Sequence, residues 1–410
     1  MNSQLNQLSG FLRNLAEALH ISGMPAQDLE RHLNEIGKRL GVHVDSFAVL
    51  TMLTLNIVDG AGNQRVEMLR LPSYDYNMAR LIALESLIRE LADVAALERY
   101  AGKLKAIMCT PPLWNGWKFM VFGFLLSASV AVLLRGGWVE MFCGGLVGMA
   151  FVGAAQHLAN IPRLGPAIPV LLCTAAAIAA HALSLVFPGQ VAFLTAVAGV
   201  VLLLPGFTLT VAMSELATQN LLAGTGRLVG AFVLLFMMGA GLLIGSQISQ
   251  QIFPGYPVHI PEPLPAWAIW LAIAALGVSL LGVLQAPLRA VHVLVGGCLL
   301  AWAVYSVVSV VLGSVVGAFA GALAVASAGH LYHHLTGQPD VLVKIPGLIT
   351  LVPGSMGFRG LYALMEKDSA IGIGLLTDML LIGAVLAVGL LLADNLSPLL
   401  FAKLGRKKAS

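Results

Sequence analysis

Polar and ionisable residues that follow two Pro-Gly pairs are the part of this sequence best suited to chemistry. Pro205-Gly206 and Pro353-Gly354 each lie within a long apolar segment. The polar residues after these pairs include Thr208, Thr210 and Glu215 in the first segment, and Ser355 and Arg359 in the second. Hydroxyl groups can bind an ammonium group, and the planar guanidinium of arginine matches a carboxylate. We therefore predict that these segments bind a small molecule carrying one or both of those groups.

Two carboxyl groups in the apolar part of the sequence are candidates for carrying protons. Glu215 follows the first Pro-Gly pair, and Asp378 lies eight residues into the last apolar segment. An ionisable group inside lipid costs at least ~2.5 kcal/mol and usually serves function. Burial disfavours the charged form of a carboxyl group, so such a group can bind and release a proton near neutral pH. We predict that Glu215 and Asp378 couple the chemistry of this region to protons.

The Pro-Gly pairs themselves predict two broken helices. Proline lacks a backbone N–H and glycine loosens the chain, so a membrane helix should be interrupted at each pair. Backbone groups freed inside a membrane must meet protein, water or a bound molecule. Paired interruptions in the two halves of a chain are the best sequence indication of a binding site near the middle of the membrane. Pro205, Gly206, Pro353 and Gly354 are therefore predicted to form that site.

The composition indicates that most of this chain lies in a lipid membrane. Of its 410 residues, 58% are hydrophobic and only 10% are charged, whereas about 25% are charged in an average soluble chain. The charges concentrate in residues 1–110, which hold 11 Lys and Arg and 12 Asp and Glu. Residues 117–395 hold eight of each kind. This distribution excludes a soluble enzyme, a nucleic-acid-binding protein or a disordered scaffold for the whole chain.

No cofactor or metal is predicted. The four cysteines form no CxxC pair. His330, His333 and His334 share a helix face, but the nearest carboxylate in the sequence is Asp340, beyond a proline. No residues with the spacing of a nucleophile and its base are found either, so we do not expect an enzyme.

The chain divides into a soluble unit and a membrane unit. Residues 1–110, called the head below, are predicted to form a small α+β cytoplasmic domain. Residues 111–246 and 266–395 are predicted to be two membrane repeats of about five helices each, which together are called the bundle. Residues 247–265 would connect them outside the cytoplasm, and residues 396–410 would be a basic cytoplasmic tail. Ten crossings follow from the requirement of roughly 20 apolar residues for each helix.

Within the head, periodicity predicts the elements. Leu5 to Leu19 and Pro25 to Gly41 read as amphipathic helices. The segment Val42 to Val58 reads as strand, followed by a turn and a returning strand from Arg65 to Arg70. Residues 74–105 are predicted to form one long helix. No catalytic motif accompanies these elements, so the head is expected to be regulatory or structural.

The two halves of the membrane unit are related by an offset of 148 residues. At this offset Pro205-Gly206 falls on Pro353-Gly354. Further glycines match as well: Gly199 with Gly347, Gly224 with Gly372, Gly226 with Gly374, and Gly241 with Gly389. A repeat with an odd number of helices enters the membrane upside down the second time. The fold predicted is thus a pair of inverted five-helix repeats, as in many secondary transporters.

Loop charges predict the orientation. Lys103, Lys105 and Lys118 precede the first crossing, and residues 403–408 include four more basic residues. Residues 246–265 contain no Lys or Arg. Basic residues favour the cytoplasmic side, and the N-terminal residues lack the pattern of a signal peptide. Both termini are therefore expected in the cytoplasm, with the chain a multi-pass protein of the inner membrane.

The motifs together resemble the threonine/serine exporter family over nearly the whole chain. Residues 204–210 (LPGFTLT) with 224–228 (GTGRL) are similar to the end of the family's first membrane block. Residues 352–368, beginning VPGSMGFRGL, are similar to its second block. Residues 74–81 (YDYNMARL) are similar to a helix start in its N-terminal domain. The resemblance implies a cytoplasmic domain before ten membrane helices, and proton-driven export of small hydroxy amino acids.

Several functions remain open at this point. The first choice is a proton-coupled inner-membrane exporter of threonine, serine or a similar small zwitterion, with protons and membrane lipid as its other partners. Export of a dicarboxylate such as succinate is the near alternative, because split relatives of the family are associated with it and Arg227, Arg289 and Arg359 could pair with two carboxylates. A membrane-embedded enzyme and a sensor are the remaining alternatives. Whether the chain forms a homo-oligomer is not decided by the sequence.

Overall fold

The computed structural model describes most of the chain. The described residues are 2–49, 51–71, 76–91, 96–159, 161–253, 261–351, 354–365 and 368–407. Pro353 therefore lies outside the described residues, and so does the side chain of Ser355.

The head begins with two helices that cover one face of a small sheet. Helix α1 spans Asn2–Ile21 and α2 spans Ala26–Arg39. Leucines spaced three and four apart on α1 are fully buried, among them Leu12, Leu15 and Leu19. Helix α2 ends just before Gly41, whose φ of 74° is readily adopted only by glycine. Both predicted helices are thus present, with nearly the predicted limits.

A three-stranded antiparallel sheet follows in the order β1-β2-β3. The strands span His43–Val49 (β1), Met52–Val58 (β2) and Gln64–Arg70 (β3). The segment predicted as one strand from Val42 to Val58 is therefore two strands, paired with Val49 opposite Met52. Leu53, Leu55 and Ile57 alternate along β2 and bury their side chains completely against the helices, as a half-buried strand requires.

Two further helices complete the head. Helix α3 spans Met78–Glu90 and α4 spans Leu97–Cys109, so the single helix predicted over residues 74–105 is wrong. Asn77 caps α3 by accepting a hydrogen bond from the backbone N–H of Arg80 at 3.0 Å. The hydroxyl of Tyr100 on α4 donates to the carbonyl of Glu90 at 2.8 Å, which fixes the two helices against each other.

The described part of the first half of the bundle has up to five candidate membrane crossings. Its helices are α5 Gly116–Leu133, α6 Trp138–Leu158, α7 Ile168–Val186, α8 Ala192–Gly199, α9 Gly206–Ala217 and α10 Leu221–Ile252. Helices α8 and α9 are long and apolar enough for one crossing only when they are taken together, and they are bent by 51° at the break between them. Helix α10 continues six residues beyond the predicted end of the first repeat.

The second half repeats the pattern. Its helices are α11 Ala266–Val283, α12 Val291–Leu312, α13 Ser314–Thr336, α14 Val341–Leu351, α15 Gly354–Met365 and α16 Ser369–Lys407. Helices α14 and α15 share one crossing. In the described part of the chain, nine segments are long and apolar enough to cross a membrane, and the bent pair α8–α9 raises the number to ten. The predicted count of about ten is confirmed.

Matched glycines make matched contacts in the two halves. A Cβ built on Gly241 of α10 would lie 2.5 Å from a backbone oxygen of α7, and one on Gly389 of α16 would lie 2.8 Å from a backbone oxygen of α13. A Cβ on Gly224 would meet Leu216, and one on Gly372 would meet Leu364, which is the residue 148 positions after Leu216. Only glycine allows these helices to approach so closely. The two halves therefore pack in corresponding ways.

The head and the bundle share a hydrophobic core. Buried residues of α1 to α4 and of the sheet form one contact cluster with buried residues of α11, α12 and α14. The backbone N–H groups of Met78 and Ala79, at the start of α3, donate to the carbonyls of Leu284 and Gln285 at 2.8 and 3.2 Å. These carbonyls lie at the C-terminal end of α11. The free N–H groups at the start of α3 therefore bond the free carbonyls at the end of α11. We call this the head end of the bundle.

Candidate functional site

The first broken helix leaves the α-helical conformation over the six residues 200–205. After α8, a short 3₁₀ turn covers Val201–Leu203, and Pro205 then precedes α9. Pro205 has no N–H to donate, so an undisturbed α-helix could not continue through it. Pro205 and Gly206 are both buried. The predicted interruption at this Pro-Gly pair is present.

The second Pro-Gly pair lies within residues 341–365, which form one candidate crossing. The structure describes helix up to Leu351 and again from Gly354 onwards. Val352 and Pro353 lie outside the described residues, so the interruption at this pair stays a prediction. Gly354 itself is buried, like Gly206.

The two Pro-Gly segments touch each other in the interior of the bundle. A Cβ built on Gly354 would lie 3.1 Å from Cα of Gly206, 3.3 Å from its nitrogen and 3.6 Å from Cβ of Leu204. Gly206 and Gly354 are thus in backbone contact across the two halves. The first backbone N–H groups of a helix have no partner within it and carry the positive end of the helix dipole. The start of α9 beside Gly354 therefore favours a carboxylate or another small anion.

Hydroxyl groups lie close to this meeting point. Thr210 is fully buried on α9, and its hydroxyl lies 3.5 Å from the carbonyl oxygen of Gly206. Thr208 is half-buried one turn from the break. On α8, Thr195 is completely buried and its hydroxyl has no hydrogen-bond partner among the described residues. The sequence prediction did not include Thr195, because nothing in the apolar run of α8 indicates which face turns inward.

Arg359 lies on the same short helix as Gly354 but on an exposed face. Gly357 and Gly360 of α15 pack against Met379 and Gly372 of α16. Since residues two apart on a helix point to nearly opposite sides, Arg359 faces away from α16, and its side chain is exposed. The structure therefore places Pro205, Gly206, Thr208, Thr210 and Gly354 together, and Arg359 at the outer part of the same segment.

Glu215 forms a buried ion pair. Nε of Arg227 on α10 donates to both carboxylate oxygens of Glu215, at 2.9 and 2.8 Å. Each side chain is only 4% exposed. A charged pair in such surroundings holds its two helices in register, because either partner alone would be a buried, uncompensated charge. The partner of Glu215 was not anticipated from the sequence.

Asp378 does not lie inside the bundle. Its side chain is exposed on α16, next to the exposed Thr377, whereas the adjacent Met379 is buried. The sequence correctly placed Asp378 well within the last apolar segment but gave no information on which face it occupies. Its role as a proton carrier stays a prediction.

A second group of ionisable residues lies at the head end, and it includes His330 and Asp340, which the sequence analysis considered only as metal ligands. We call His330, Asp340, Lys344 and Asp394 the head-end network. Nζ of Lys344 contacts the carboxylates of Asp340 at 2.5 Å and Asp394 at 2.8 Å. Nε2 of His330 lies 2.7 Å from the Asp394 carboxylate. The spacing of Asp340 and Lys344, one helical turn apart, was the only sequence signal, since Asp394 comes from another helix. Among the described residues, no set of three or more His, Cys, Asp or Glu is arranged to hold a metal.

The head contacts the first break directly. The ring of Tyr76, just before α3, packs edge to face on Phe207, the second residue of α9, with 5.3 Å between ring centroids and an angle of 73°. Gly23 lies beneath this ring, since a Cβ built there would come within 2.7 Å of it. The aromatic contact thus joins the soluble unit to the segment that carries the proposed binding residues.

Comparison with known proteins gives two family matches. Residues 11–249 match the family described as "Putative threonine/serine exporter", and residues 267–396 match the one described as "Threonine/Serine exporter, ThrE". The threonine/serine exporter of Corynebacterium glutamicum is 24% identical over 96% of this chain and 83% of its own length. No solved structure matches the chain.

Fungal proteins are also similar. Pheromone-regulated membrane protein 10 of Eremothecium gossypii is 21% identical over 87% of this chain, and that of Kluyveromyces lactis is 22% identical over 61%. This chain spans only 49% and 27% of those two proteins.

Proposed function

Since the chain belongs to the threonine/serine exporter family, we propose that it exports small amino acids such as threonine and serine, driven by the proton gradient. It is a multi-pass membrane protein of a transporter family, with nine to ten candidate crossings in its described part. The cargo, the driving force and the binding residues are proposed from the geometry of the candidate site.

The contact between the two Pro-Gly segments carries the proposal. Gly206, the first residue of α9, contacts Gly354 of the other half, and the first N–H groups of α9 have no partner within that helix. Such ends bind the carboxylate of amino-acid substrates in transporters with broken helices. Thr208, Thr210 and Ser355 would contribute hydroxyl groups for the ammonium or the side-chain hydroxyl. Arg359 would attract the carboxylate from the outer part of the segment.

Alternating access is the transport mechanism that we propose. The N–H of Trp114, before α5, donates to the side chain of Gln285, after α11, at 3.0 Å. The first helix of one half therefore begins where the first helix of the other half ends, so the two run in opposite directions. Together with the matched glycine contacts, this supports two inverted five-helix repeats that rock around the Gly206–Gly354 contact.

We propose that the head lies in the cytoplasm. Ten crossings return the chain to the side from which it started, which places both termini together. Exposed tryptophans stand at both ends of the bundle: Trp117 at the head end of α5, and Trp138 and Trp267 at the opposite end. Tryptophan prefers the two membrane interfaces. The basic residues before α5 and in the C-terminal tail then fall on the cytoplasmic side of a bacterial inner membrane.

The cargo is more consistent with a zwitterion than with a dicarboxylate. A dicarboxylate such as succinate would need two cationic groups at the site. Arg227 is engaged by Glu215 and both are buried, so this arginine is not available to a substrate carboxylate. Among the other candidates, Arg289 lies in a short turn before α12, away from the breaks. Succinate remains the second cargo to test.

The test is efflux from cells preloaded with labelled threonine, serine or succinate, with the chain expressed or absent. We expect faster loss of threonine or serine in expressing cells, and we expect a protonophore to abolish the difference. Loss of succinate alone would replace the cargo but keep the transporter. If none of the three leaves faster, the export proposal is wrong for these compounds.

Two variants assign roles within the same assay. Asp378→Asn should abolish proton-coupled flux if Asp378 carries protons, and Thr377→Val is the matched control on the same exposed face. Pro205→Ala should weaken substrate binding, because it allows the helix to continue through the break. Normal coupling in Asp378→Asn would remove that residue from the mechanism, and unchanged affinity in Pro205→Ala would make the break a mere bend.

A further inference from the structure

The head-end network joins three separate elements of the second half. His330 lies on α13, Lys344 on α14 with Asp340 just before it, and Asp394 on α16. The carboxylate of Asp394 accepts from both Lys344, at 2.8 Å, and His330, at 2.7 Å. Lys344 is 13% exposed and His330 18%, whereas Asp394, which both of them contact, is 43% exposed. The network therefore ties α14, the first half of a broken helix, to its two neighbours.

The geometry around His330 is suited to a protonated ring. Its Nε2 lies 2.7 Å from Asp394, its Nδ1 lies 3.6 Å from Asp340, and Nζ of Lys344 lies 3.3 Å from the same Nε2. A neutral imidazole has one N–H and can serve only one carboxylate, whereas the imidazolium has two. Two carboxylates and one ammonium also leave one negative charge without a counterpart. One added proton on the ring would balance the network.

Charged groups of the head face the same place. Asp28 on α2 and Glu85 on α3 interact electrostatically with Asp340. Burial raises the pKa of Glu85 to about 7, although His32 and Arg89 lower it and Asp340 and Asp28 raise it further. The charged and titratable groups around the network are thus Asp28, Arg31 and His32 on α2, Glu85 and Arg89 on α3, and His333 and His334 on α13. The surplus of carboxylates makes this end of the bundle attractive to a proton.

The repeat shows that this arrangement exists at one end only. The positions 148 residues before His330, Asp340, Lys344 and Asp394 are Ala182, Ala192, Ala196 and Ser246. None of these can ionise near neutral pH. In inverted repeats those positions belong to the opposite end of the bundle, so a proton site of this kind has no counterpart there.

We propose that His330, Asp340, Lys344 and Asp394 form the proton-binding site that couples transport, with His330 as the group that takes up the proton. The inference rests on the export function proposed above. Protonation completes the network and holds α14 against α13 and α16, whereas loss of the proton leaves a surplus negative charge and frees α14. Because Gly354 follows α14 in the same candidate crossing and contacts Gly206, movement of α14 reaches the substrate site. Lys344 occupies the centre of the network, so the ion is a proton rather than a metal cation.

Transport in vesicles separates coupling from substrate binding. The purified full chain would be placed in liposomes, and labelled threonine followed in two modes: exchange at equal pH, and accumulation driven by a pH gradient. We expect His330→Gln to retain exchange and lose gradient-driven accumulation. Asp394→Asn tests the same network should His330→Gln fail to fold. His333→Gln is the matched control, because His333 lies on the same helix and is exposed, and its ring contacts the backbone carbonyl of Gln338 at 2.8 Å. Accumulation at the wild-type level in His330→Gln or Asp394→Asn would overturn the proposal.

A measurement that needs no substrate distinguishes this inference from the export proposal. The melting temperature of the full chain in detergent would be followed between acidic and alkaline pH for the wild type and the two histidine variants. We expect His330→Gln, but not His333→Gln, to remove part of the pH dependence near neutrality. If no threonine or serine moves in any mode but this difference is present, the export proposal fails and the proton site stands. Identical pH profiles for wild type and His330→Gln would refute the proton site.

Discussion

Replacing Gly354 with alanine tests the contact on which the substrate site depends. The new methyl carbon would lie 3.1 Å from Cα and 3.3 Å from the nitrogen of Gly206. Ordinary contacts of a Cβ begin at about 3.4 Å, so one backbone must shift by a few tenths of an ångström. Both partners are main-chain atoms in a buried place, and neither can rotate away as the tip of a side chain could.

The cost of this substitution follows from comparable overpacking in protein interiors. Inserting a methylene group into a close-packed site costs about 1–3 kcal/mol. If the two Pro-Gly segments must also slide past each other during transport, a barrier raised by that amount slows the cycle by roughly 5- to 150-fold. We therefore expect Gly354→Ala to lower both the melting temperature and the rate of threonine exchange.

The assay compares this variant with Gly296→Ala in the same vesicles. Gly296 lies inside α12, and a Cβ built there meets no other atom within 4 Å. Alanine in an open helical position stabilises by roughly 1 kcal/mol, so the control should melt no lower than the wild type and transport normally. Exchange at the wild-type rate in Gly354→Ala, with an unchanged melting temperature, would refute the contact between the breaks.

Three further variants test the connections around this centre. Glu215→Gln should lower the stability of the chain by about 3–5 kcal/mol, because it leaves Arg227 buried without its carboxylate; thermal unfolding in detergent measures this, and adding Arg227→Gln should recover part of the loss. Glu85→Gln should stabilise the chain at pH 8 by up to roughly 3 kcal/mol. The folded protein binds a proton at Glu85 more tightly than the unfolded chain does, so the stability of the wild type falls as the pH rises from about 4.5 to 7. The difference between Glu85→Gln and wild type should therefore vanish towards pH 4, and a constant difference at all pH values would contradict the assignment. Tyr76→Ala should slow exchange by removing the ring that packs on Phe207, whereas Tyr76→Phe keeps the ring; equal rates in both variants would show that the ring contact is unimportant.

The membrane architecture was accessible from the sequence because it depends on local properties. Crossings are visible as long apolar segments, and the breaks are visible because Pro-Gly is a strong local signal. The repeat followed from glycines at a fixed offset, which the structure shows in matched helix contacts. These features need no knowledge of which helices are neighbours.

Elements without a local signal were predicted less well. Leu50-Thr51, which separates β1 from β2 in the sequence, contains none of the residues usual in tight turns. The sequence pattern therefore predicts one strand where the structure has two. The separation of α3 from α4 likewise falls in a segment without Gly or Pro. Pattern alone therefore joined elements that the fold separates.

The candidate site shows where sequence reasoning ends. Asp378 was located correctly along the chain, but only the packing of α16 decides that it faces outward. The head-end network was missed because His330 and Asp394 are 64 residues apart and meet only when α13 packs against α16. Long-range pairs of this kind are fixed by tertiary contacts, which leave little trace in a single sequence.

The end-to-end contact of α3 with α11 limits how the head and the bundle can be exchanged between relatives. The natural place to cut the chain is near residue 110, where the composition changes, yet the first N–H groups of α3 are bonded to the carbonyls of Leu284 and Gln285. A chimera that takes its head from one relative and its bundle from another would therefore join foreign surfaces at this contact. Functional chimeras should require the α11–α12 corner to be transplanted together with the head. The unit to exchange is therefore discontinuous in sequence although it is continuous in space.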